Sequence, residues 1–285
     1  MARISVIDET FDSNITSTYH LSIEVGPGHF TFCILDTVRT KFLALKHYPF
    51  EKLLSVEELL KEIKTILHTE GYLTRSYKSV YLNYLTKNSV LIPSPLFQPE
   101  TSALFFKHAC SLSDKEEILS QRIPSVDAQV LFTIPSQIRA EIDHTLDEVR
   151  FYHQAAPMIE DGWVNVKNQP DTGRCSIQVH ENSFDVAVFS GNQFKLFNTY
   201  NYNSPEDLVF LVLYLFDQFE FNQEITPLDI SGSIDPQGEI TRLFHKYIRQ
   251  VNFLSFNRSY TYSYTFNELE QHRFAPLINS FNCEL

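Results

Sequence analysis

Apolar and polar residues alternate over two pairs of short segments in this chain, and the pairs repeat one another. Phe30, Phe32 and Ile34 are interleaved with polar or small residues, as are Phe184, Val186 and Val188; a period of two marks a half-buried strand. Sliding the chain on itself by 154 positions lays Ser22-Ile23-Glu24-Val25 on Ser176-Ile177-Gln178-Val179 and Phe30 on Phe184, four identities in nine positions. The same shift sets Ile34-Leu35 on Val188-Phe189. A polar or glycine-bearing break splits each segment, so each predicts a hairpin. A third strand rich in aromatic and aliphatic residues follows in each half, Lys41 to Tyr48 and Gln193 to Tyr200.

The period then changes from two to 3.6. Ser55-Val56-Glu57-Glu58-Leu59 and Ser204-Pro205-Glu206-Asp207-Leu208 each offer a capping serine, acids in the first turn and an apolar run. Pro205 falls at the first helical position, where a missing N–H costs nothing. Leu59, Leu60, Ile63, Ile66 and Leu67 share one helical face. Short strands return after the helices, Ser79 to Tyr84 and Pro227 to Ser231. The order strand, strand, strand, helix, strand thus occurs twice, and each half is expected to be a mixed sheet flanked by helices, because a parallel return needs a helical crossover. The expected halves are residues 1–170 and 171–285. Between Pro93 and about residue 165 the pattern predicts an inserted helical subdomain, with helices at Ala103 to Ser111, Asp114 to Gln121 and Ser136 to Tyr152 around one strand, Ala128 to Thr133. The tail predicts an alternating strand from Ser259 to Tyr264 and a helix from about Glu268 to Ser280.

Composition narrows the function classes. A chain of 285 residues with 43% hydrophobic and 20% charged residues is long enough for substantial cores and is not disordered. Thirty-five acids against 23 bases leave a net charge of −12, the wrong sign for gripping a phosphate backbone without a local basic patch, and none is evident; nucleic acid is not an expected partner. Met1 to Ser13 carries Asp8, Glu9 and Asp12 rather than a basic-then-apolar leader. The longest apolar run, Leu208 to Phe216, is nine residues, too short for a bilayer. Cys33, Cys110, Cys175 and Cys283 form no Cys-x-x-Cys pair, which argues against a zinc site or disulfide framework. A cytoplasmic protein with no membrane contact is expected.

The duplicated unit with an insertion after its first part resembles the actin-like (ribonuclease H-like) ATPase fold shared by actin, sugar kinases, heat-shock chaperone ATPases and pilus-assembly proteins. Within that fold the chain is similar to an uncharacterised bacterial family of unknown function. The resemblance covers almost the whole chain, and Asp185-Val186-Ala187-Val188-Phe189-Ser190-Gly191 is similar to the strand of the second phosphate loop. It implies an Asp-x-Gly in the first hairpin, whose acid acts on magnesium or its waters and whose glycine admits phosphate oxygens. The matching residues are Glu24-Val25-Gly26, then Pro27-Gly28. Glu24 could reach a hydrated magnesium ion; equally, Gly26-Pro27-Gly28 is a hairpin turn with glycines supplying positive φ and proline fixing its own. The second hairpin departs further: Gln178-Val179-His180 lacks both acid and glycine, and Glu181 would repel an anion. His180 and Glu181 read as solvated turn residues. The adenosine loop implied by the resemblance falls on Ile230-Ser231-Gly232-Ser233, with Ser231 in place of a first glycine, ahead of a helix containing Leu243, Phe244, Tyr247 and Ile248. Glu24, Gly26, Gly28, Ser231 and Gly232 are therefore the candidate, vestigial nucleotide-binding residues.

No other constellation rises to a site. His20, His29, His144, His153 and His180 lack the spacings that put two metal ligands on one face, and Cys33 lies in a predicted strand, where a thiol is usually inert. Tyr260, Tyr262 and Tyr264 would place three rings on one face of a strand, either packed on the last helix or offered at a sheet edge to another protein. The expectation is a degenerate actin-like protein, a pseudo-ATPase with no catalytic residues, no metal and no cofactor, acting as a protein-binding or assembly module. The alternative is a weak ATPase or kinase taking ATP with magnesium through Glu24 and the Gly26 and Gly28 amides.

Overall fold

Alternation builds the first sheet. In the computed structural model, which describes residues 2–167 and 173–281, β1 (Ile4–Ile7) is followed by β2 (Tyr19–Gly26), β3 (His29–Asp36) and β4 (Lys41–Pro49), then α1 (Val56–Thr69) and β5 (Ser79–Tyr84). The chain continues through β6 (Ser89–Pro93), α2 (Ser102–Ala109), β7 (Glu116–Ile123), β8 (Ala128–Pro135), α3 (Ser136–Thr145) and β9 (Val149–His153). Strand order in the main sheet is β1-β4-β3-β2-β5-β9. The β2–β3 and β3–β4 pairs are antiparallel, whereas β5 joins β2, and β9 joins β5, in parallel after helical crossovers. Ile23, Val25, Phe30 and Phe32 face α1 and α3, whose Leu59, Ile63, Ile138 and Ile142 complete the core; burying each such side chain contributes ~1.5–3 kcal/mol. The Ser55 side chain accepts from the Glu58 amide and the Glu58 carboxylate from the Ser55 amide, the expected capping box.

The second sheet follows the same plan. After α4 (Ala155–Val166) come β10 (Arg174–Val179), β11 (Ser183–Ser190), β12 (Gln193–Asn201), α5 (Pro205–Gln218), β13 (Leu228–Gly232), α6 (Glu239–Tyr247) and β14 (Val251–Phe253). Its order, β12-β11-β10-β13-β14, matches β4-β3-β2-β5-β9 strand for strand. The register matches as well. Val25 pairs with Phe30 and Val179 with Phe184, and the ladder slips by one residue between Ile34 and Leu35 in one sheet and between Val188 and Phe189 in the other. Those two bulges stand at the 154-residue offset of the repeat, so the duplication preserves even a local irregularity. The last elements are β15 (Thr261–Tyr262) and α7 (Gln271–Asn279).

The chain divides into two compact units: residues 1–122, 128–154 and 257–269 form the first, and residues 123–127, 155–256 and 270–285 the second. The expected boundary at residues 170 and 171 lies outside the described residues. Helix α4 packs on β10, β11 and β12 of the second unit.

Several expectations are corrected. Residues 114–121 are not helical: β7 is a strand of a three-stranded sheet, β6-β8-β7, and its backbone is satisfied by that pairing rather than by a helix. The helix expected to reach Tyr152 stops at Thr145, where Glu148 takes a left-handed φ of 47° and Val149-Arg150-Phe151-Tyr152 turns into β9, as β-branched and aromatic residues prefer. The tyrosine stripe does not survive as one face of a strand. Only Thr261 and Tyr262 form a strand, which adds in parallel to Lys41 and Phe42 of β4. Tyr260 and Tyr262 pack on Phe42, Tyr262 stacked at 5.5 Å between ring centroids, and Tyr264 lies exposed in the following 3-10 turn. Tyr260 and Tyr262 are therefore part of the first unit's own packing, and Tyr264 is not. Among the described residues no helix is long and apolar enough to cross a membrane.

Candidate functional site

Because β-strand side chains alternate faces, residues opposite Ile23 and Val25, or Ile177 and Val179, share the sheet's other face. There each sheet carries a straight row of polar residues across four strands. In the first unit the register aligns Asn83, Glu24, Thr31 and His47, all buried. In the second it aligns Ser231, Gln178, Asp185 and Thr199. The repeat offset maps Glu24 onto Gln178 and Thr31 onto Asp185.

Buried polar groups require partners, and the rows supply most of them. Glu24 Oε1 accepts from His29 Nε2 at 2.9 Å and Oε2 from Asn83 Nδ2 at 3.1 Å. Thr31 Oγ1 and His47 Nδ1 bond at 2.7 Å. In the second row Asp185 Oδ2 accepts from His180 Nε2 at 2.8 Å and Oδ1 from Thr199 Oγ1 at 2.5 Å. Each hairpin thus carries a histidine bonded to a buried carboxylate five residues away, with the order reversed: Glu24 then His29, His180 then Asp185. His180 is consequently not a solvated turn residue, although Glu181 is exposed. Gln178 Oε1 and Asn83 Oδ1 are buried without a hydrogen-bond partner from the protein.

The first hairpin tip contradicts the expected glycine conformations. The positive-φ glycines among the described residues are Gly191 and Gly232, not Gly26 or Gly28. Gly26 is required by crowding instead: a Cβ there would stand 2.8 Å from Leu85 Cβ, whereas one on Gly28 would meet Leu53 at an ordinary 3.6 Å. The Pro27 and Gly28 carbonyls accept from the Leu54 and Phe50 amides at 2.9 Å, which ties the tip to the approach to α1. Gly26→Ala is expected to cost ~1–3 kcal/mol through overpacking, and Gly28→Ala well under ~1 kcal/mol, in urea denaturation of the two variants.

Ser231 and Gly232 end β13. Ser231 Oγ donates to the Ile177 carbonyl at 3.2 Å, and Gly232, at φ +88°, lies so close to Val179 that a Cβ would sit 2.2 Å from its carbonyl oxygen. Glu24, Gly26 and Gly28 therefore share one hairpin of the first unit, and Ser231 and Gly232 one strand end of the second, beside Gln178.

Sequence reading missed Asp161, from α4. It lines a small pocket of the second unit together with Gln178, Ser176, Asp229 and Ser231. Burial pushes the Asp161 carboxyl up to about 6, reinforced by Glu160 and Asp229 and opposed by a 2.9 Å bond from Asn279 Nδ2. Asp229 is paired with Arg174 and accepts from Asn252. Burial also pushes the Cys33 and Cys175 thiols far above their usual range, which leaves them protonated and poorly nucleophilic; Cys283 lies outside the described residues. Among the described residues no group of three or more His, Cys, Asp or Glu side chains could hold a metal ion. On α6, Arg242, His245 and Lys246 are exposed on one helical face together with Glu239 one turn before them, and Arg249 beyond is paired to Glu224.

A family model described as protein of unknown function (DUF3822) matches residues 8–251, while no curated protein matches the chain. The crystal structure of a Bacteroides thetaiotaomicron VPI-5482 protein with an actin-like ATPase fold and unknown function is similar at a TM-score of 0.77 and 24% identity, covering 86% of this chain and 94% of that one. The PilM-PilN type IV pilus biogenesis complex contains a chain similar at a TM-score of 0.59 and 12% identity, covering 93% and 96% respectively. With the matched strand orders and bulges, these likenesses establish the duplicated actin-like fold.

Proposed function

The chain belongs to the DUF3822 family of unknown function, and on that footing we propose that it is a cytoplasmic, non-catalytic binding or assembly module built on an actin-like frame. The observation that carries this reading is the state of the two metal and phosphate positions. Glu24 has both carboxylate oxygens engaged by His29 and Asn83. At the matching position of the second unit stands the uncharged Gln178, and His180 replaces the glycine and is tied to Asp185. Phosphoryl transfer is accelerated chiefly by positioned charge, and losing one such group typically costs ~3 kcal/mol, about a hundredfold in rate. Two eroded loops leave little catalysis to supply. Gly26 and Gly232, the residues that would admit a nucleotide, are accounted for by contacts with Leu85 and Val179. These residues do not fit a magnesium nucleotide.

A protein partner suits a chain whose fold is also found in a pilus-biogenesis complex. Isothermal titration of the full chain with magnesium and ATP tests the reading. No heat of binding is expected at millimolar nucleotide; a Kd tighter than ~100 µM, about −5.5 kcal/mol, would replace this reading with that of a weak ATPase or kinase. Capture of a stoichiometric protein from the native host is the positive counterpart.

A further inference from the structure

The two sheets differ at one edge. In the first unit β1 adds antiparallel to the outer side of β4, and six of the nine β4 residues are buried. Strand β12 holds the same place in the second sheet, yet it ends the strand order, and among the described residues no strand pairs with its outer side. None of its nine residues is buried. The polar rows align Thr199 with His47, whose carbonyl accepts from the Arg3 amide at 3.0 Å, just before β1. The Thr199 amide donates instead to Asn198 Oδ1 at 2.9 Å. A side chain thus covers a backbone donor where the first unit has an extra strand, and an edge of this kind is a template for strand addition.

The residues of β12 select the occupant. Its ladder with β11 slips at Lys195, which leaves Leu196-Phe197-Asn198-Thr199-Tyr200-Asn201 as a regular segment without a charged residue in a chain of net charge −12. We propose that this edge pairs with the β12 edge of a second copy, about a two-fold axis at Asn198. A two-fold axis normal to a sheet imposes antiparallel pairing, the sense in which β1 meets β4. In this register Leu196 stands opposite Tyr200 of the second copy and Phe197 opposite its Thr199, apolar and aromatic–β-branched pairs of the kind that stabilise sheets. The outward backbone groups of Thr199 meet those of Phe197 across the axis, and Asn198 lies opposite itself. An axis at Phe197 would draw the Lys195 bulge into the ladder, and one at Thr199 would set Phe197 and Tyr200 against Asn201 and Asn198. The proposal rests on the assembly reading and names its partner; a monomer that captures a different host protein would overturn this pairing and leave that reading standing.

Sedimentation velocity of the full chain in reducing buffer provides the test. The 33.1 kDa monomer should pass reversibly to a dimer with a Kd below ~100 µM. Asn198 is exposed, so Asn198→Lys should fold, and by setting two ammonium groups face to face it should weaken association ~tenfold or more. Asn198→Cys should be captured as a disulfide-linked dimer on mild oxidation, because a residue on the axis meets its own copy, whereas Gln193→Cys should not. Hydrogen exchange of the wild-type protein needs no variant: protection that grows with protein concentration should be largest in residues 193–201. A chain still monomeric at ~100 µM, an Asn198→Lys variant that dimerises as tightly as the wild type, or a dimer whose β12 amides gain no protection overturns the proposal.

Discussion

Gly232→Ala is expected to destabilise the second unit by ~3–5 kcal/mol. Two costs combine. An L residue at φ +88° sits in the left-handed region, which costs ~1–2 kcal/mol, and the new Cβ would lie 2.2, 2.8 and 3.0 Å from Val179 O, N and C. Those atoms are backbone, held in the parallel β10–β13 ladder and by the Ser233 amide bonded to the Val179 carbonyl at 2.7 Å. They cannot rotate aside as a side chain would, so relief requires prying two strands apart. Gly191 is the internal control: it has φ +58° and nothing within 4 Å of its would-be Cβ, so Gly191→Ala should carry the conformational cost alone. Urea denaturation of both variants measures the difference, and a Gly232→Ala cost within ~1 kcal/mol of Gly191→Ala would sink the steric account. The comparison also separates two reasons for a glycine here. A residue kept for the approach of a nucleotide would lose binding on substitution, whereas one kept for strand packing loses stability.

That distinction marks how far the sequence alone was legible. The hairpins, the Ser55 and Ser204 caps and the crossover helices all follow from local signals: alternation, a serine before first-turn acids, an apolar stripe. Strand β7 did not, because Glu116-Glu117-Ile118-Leu119 favours a helix and is overruled by pairing with β8, a partner distant from the local pattern. The glycines of the first hairpin were given the wrong physics. Gly26 and Gly28 were expected to supply positive φ, and the need at Gly26 is instead set by Leu85, more than fifty residues along the chain. The histidine–carboxylate pairs were hidden for a related reason. A separation of five residues means nothing until strand register folds it across a hairpin. Yet the 154-residue offset already laid Glu24 on Gln178 and Thr31 on Asp185, and carrying the repeat through the polar positions as well as the apolar ones would have exposed both rows.

The two rows also show why one frame tolerates different chemistry. A four-strand polar row needs hydrogen bonds within itself, not any particular donor. Glu24 with His29 and Asn83, and Asp185 with His180 and Thr199, are alternative solutions at the same lattice of positions. Gln178, at the position that Glu24 holds in the first unit, leaves its Oε1 without a protein partner, yet the apolar face of the same strand, Ile177 and Val179 against α5 and α6, packs as its counterpart does. The packing of the frame is thereby separable from the residues that fill its polar row.

Asp161→Asn is expected to stabilise the protein at neutral pH and to flatten its stability between pH 4 and pH 7. The sign follows from linkage. Asp161 has a folded pKa of about 6 against an ordinary 3.8, so between those values the native state keeps a proton that the unfolded chain has released. The native state binds more protons there, and stability falls as pH rises. The favourable contribution is fully present below pH ~4 and is lost by pH ~7; a shift of this size corresponds to about 3 kcal/mol. Asparagine cannot ionise and can still accept from Asn279 Nδ2 through its own oxygen, so the variant should match the wild type near pH 4 and exceed it by up to ~3 kcal/mol at pH 7.5. Asp8 titrates in the opposite sense. Burial alone would raise it, but the Lys41 ammonium and Thr10 hold its carboxyl far below the usual range, so its contribution is lost only as pH falls toward that low value, and it is common to both proteins. Urea unfolding of the pair in sodium buffers at pH 4.5, 5.5, 6.5 and 7.5 isolates Asp161 as the difference. Parallel stability curves would mean that the carboxyl is solvated and ionised throughout, and that α4 does not hold it against the sheet.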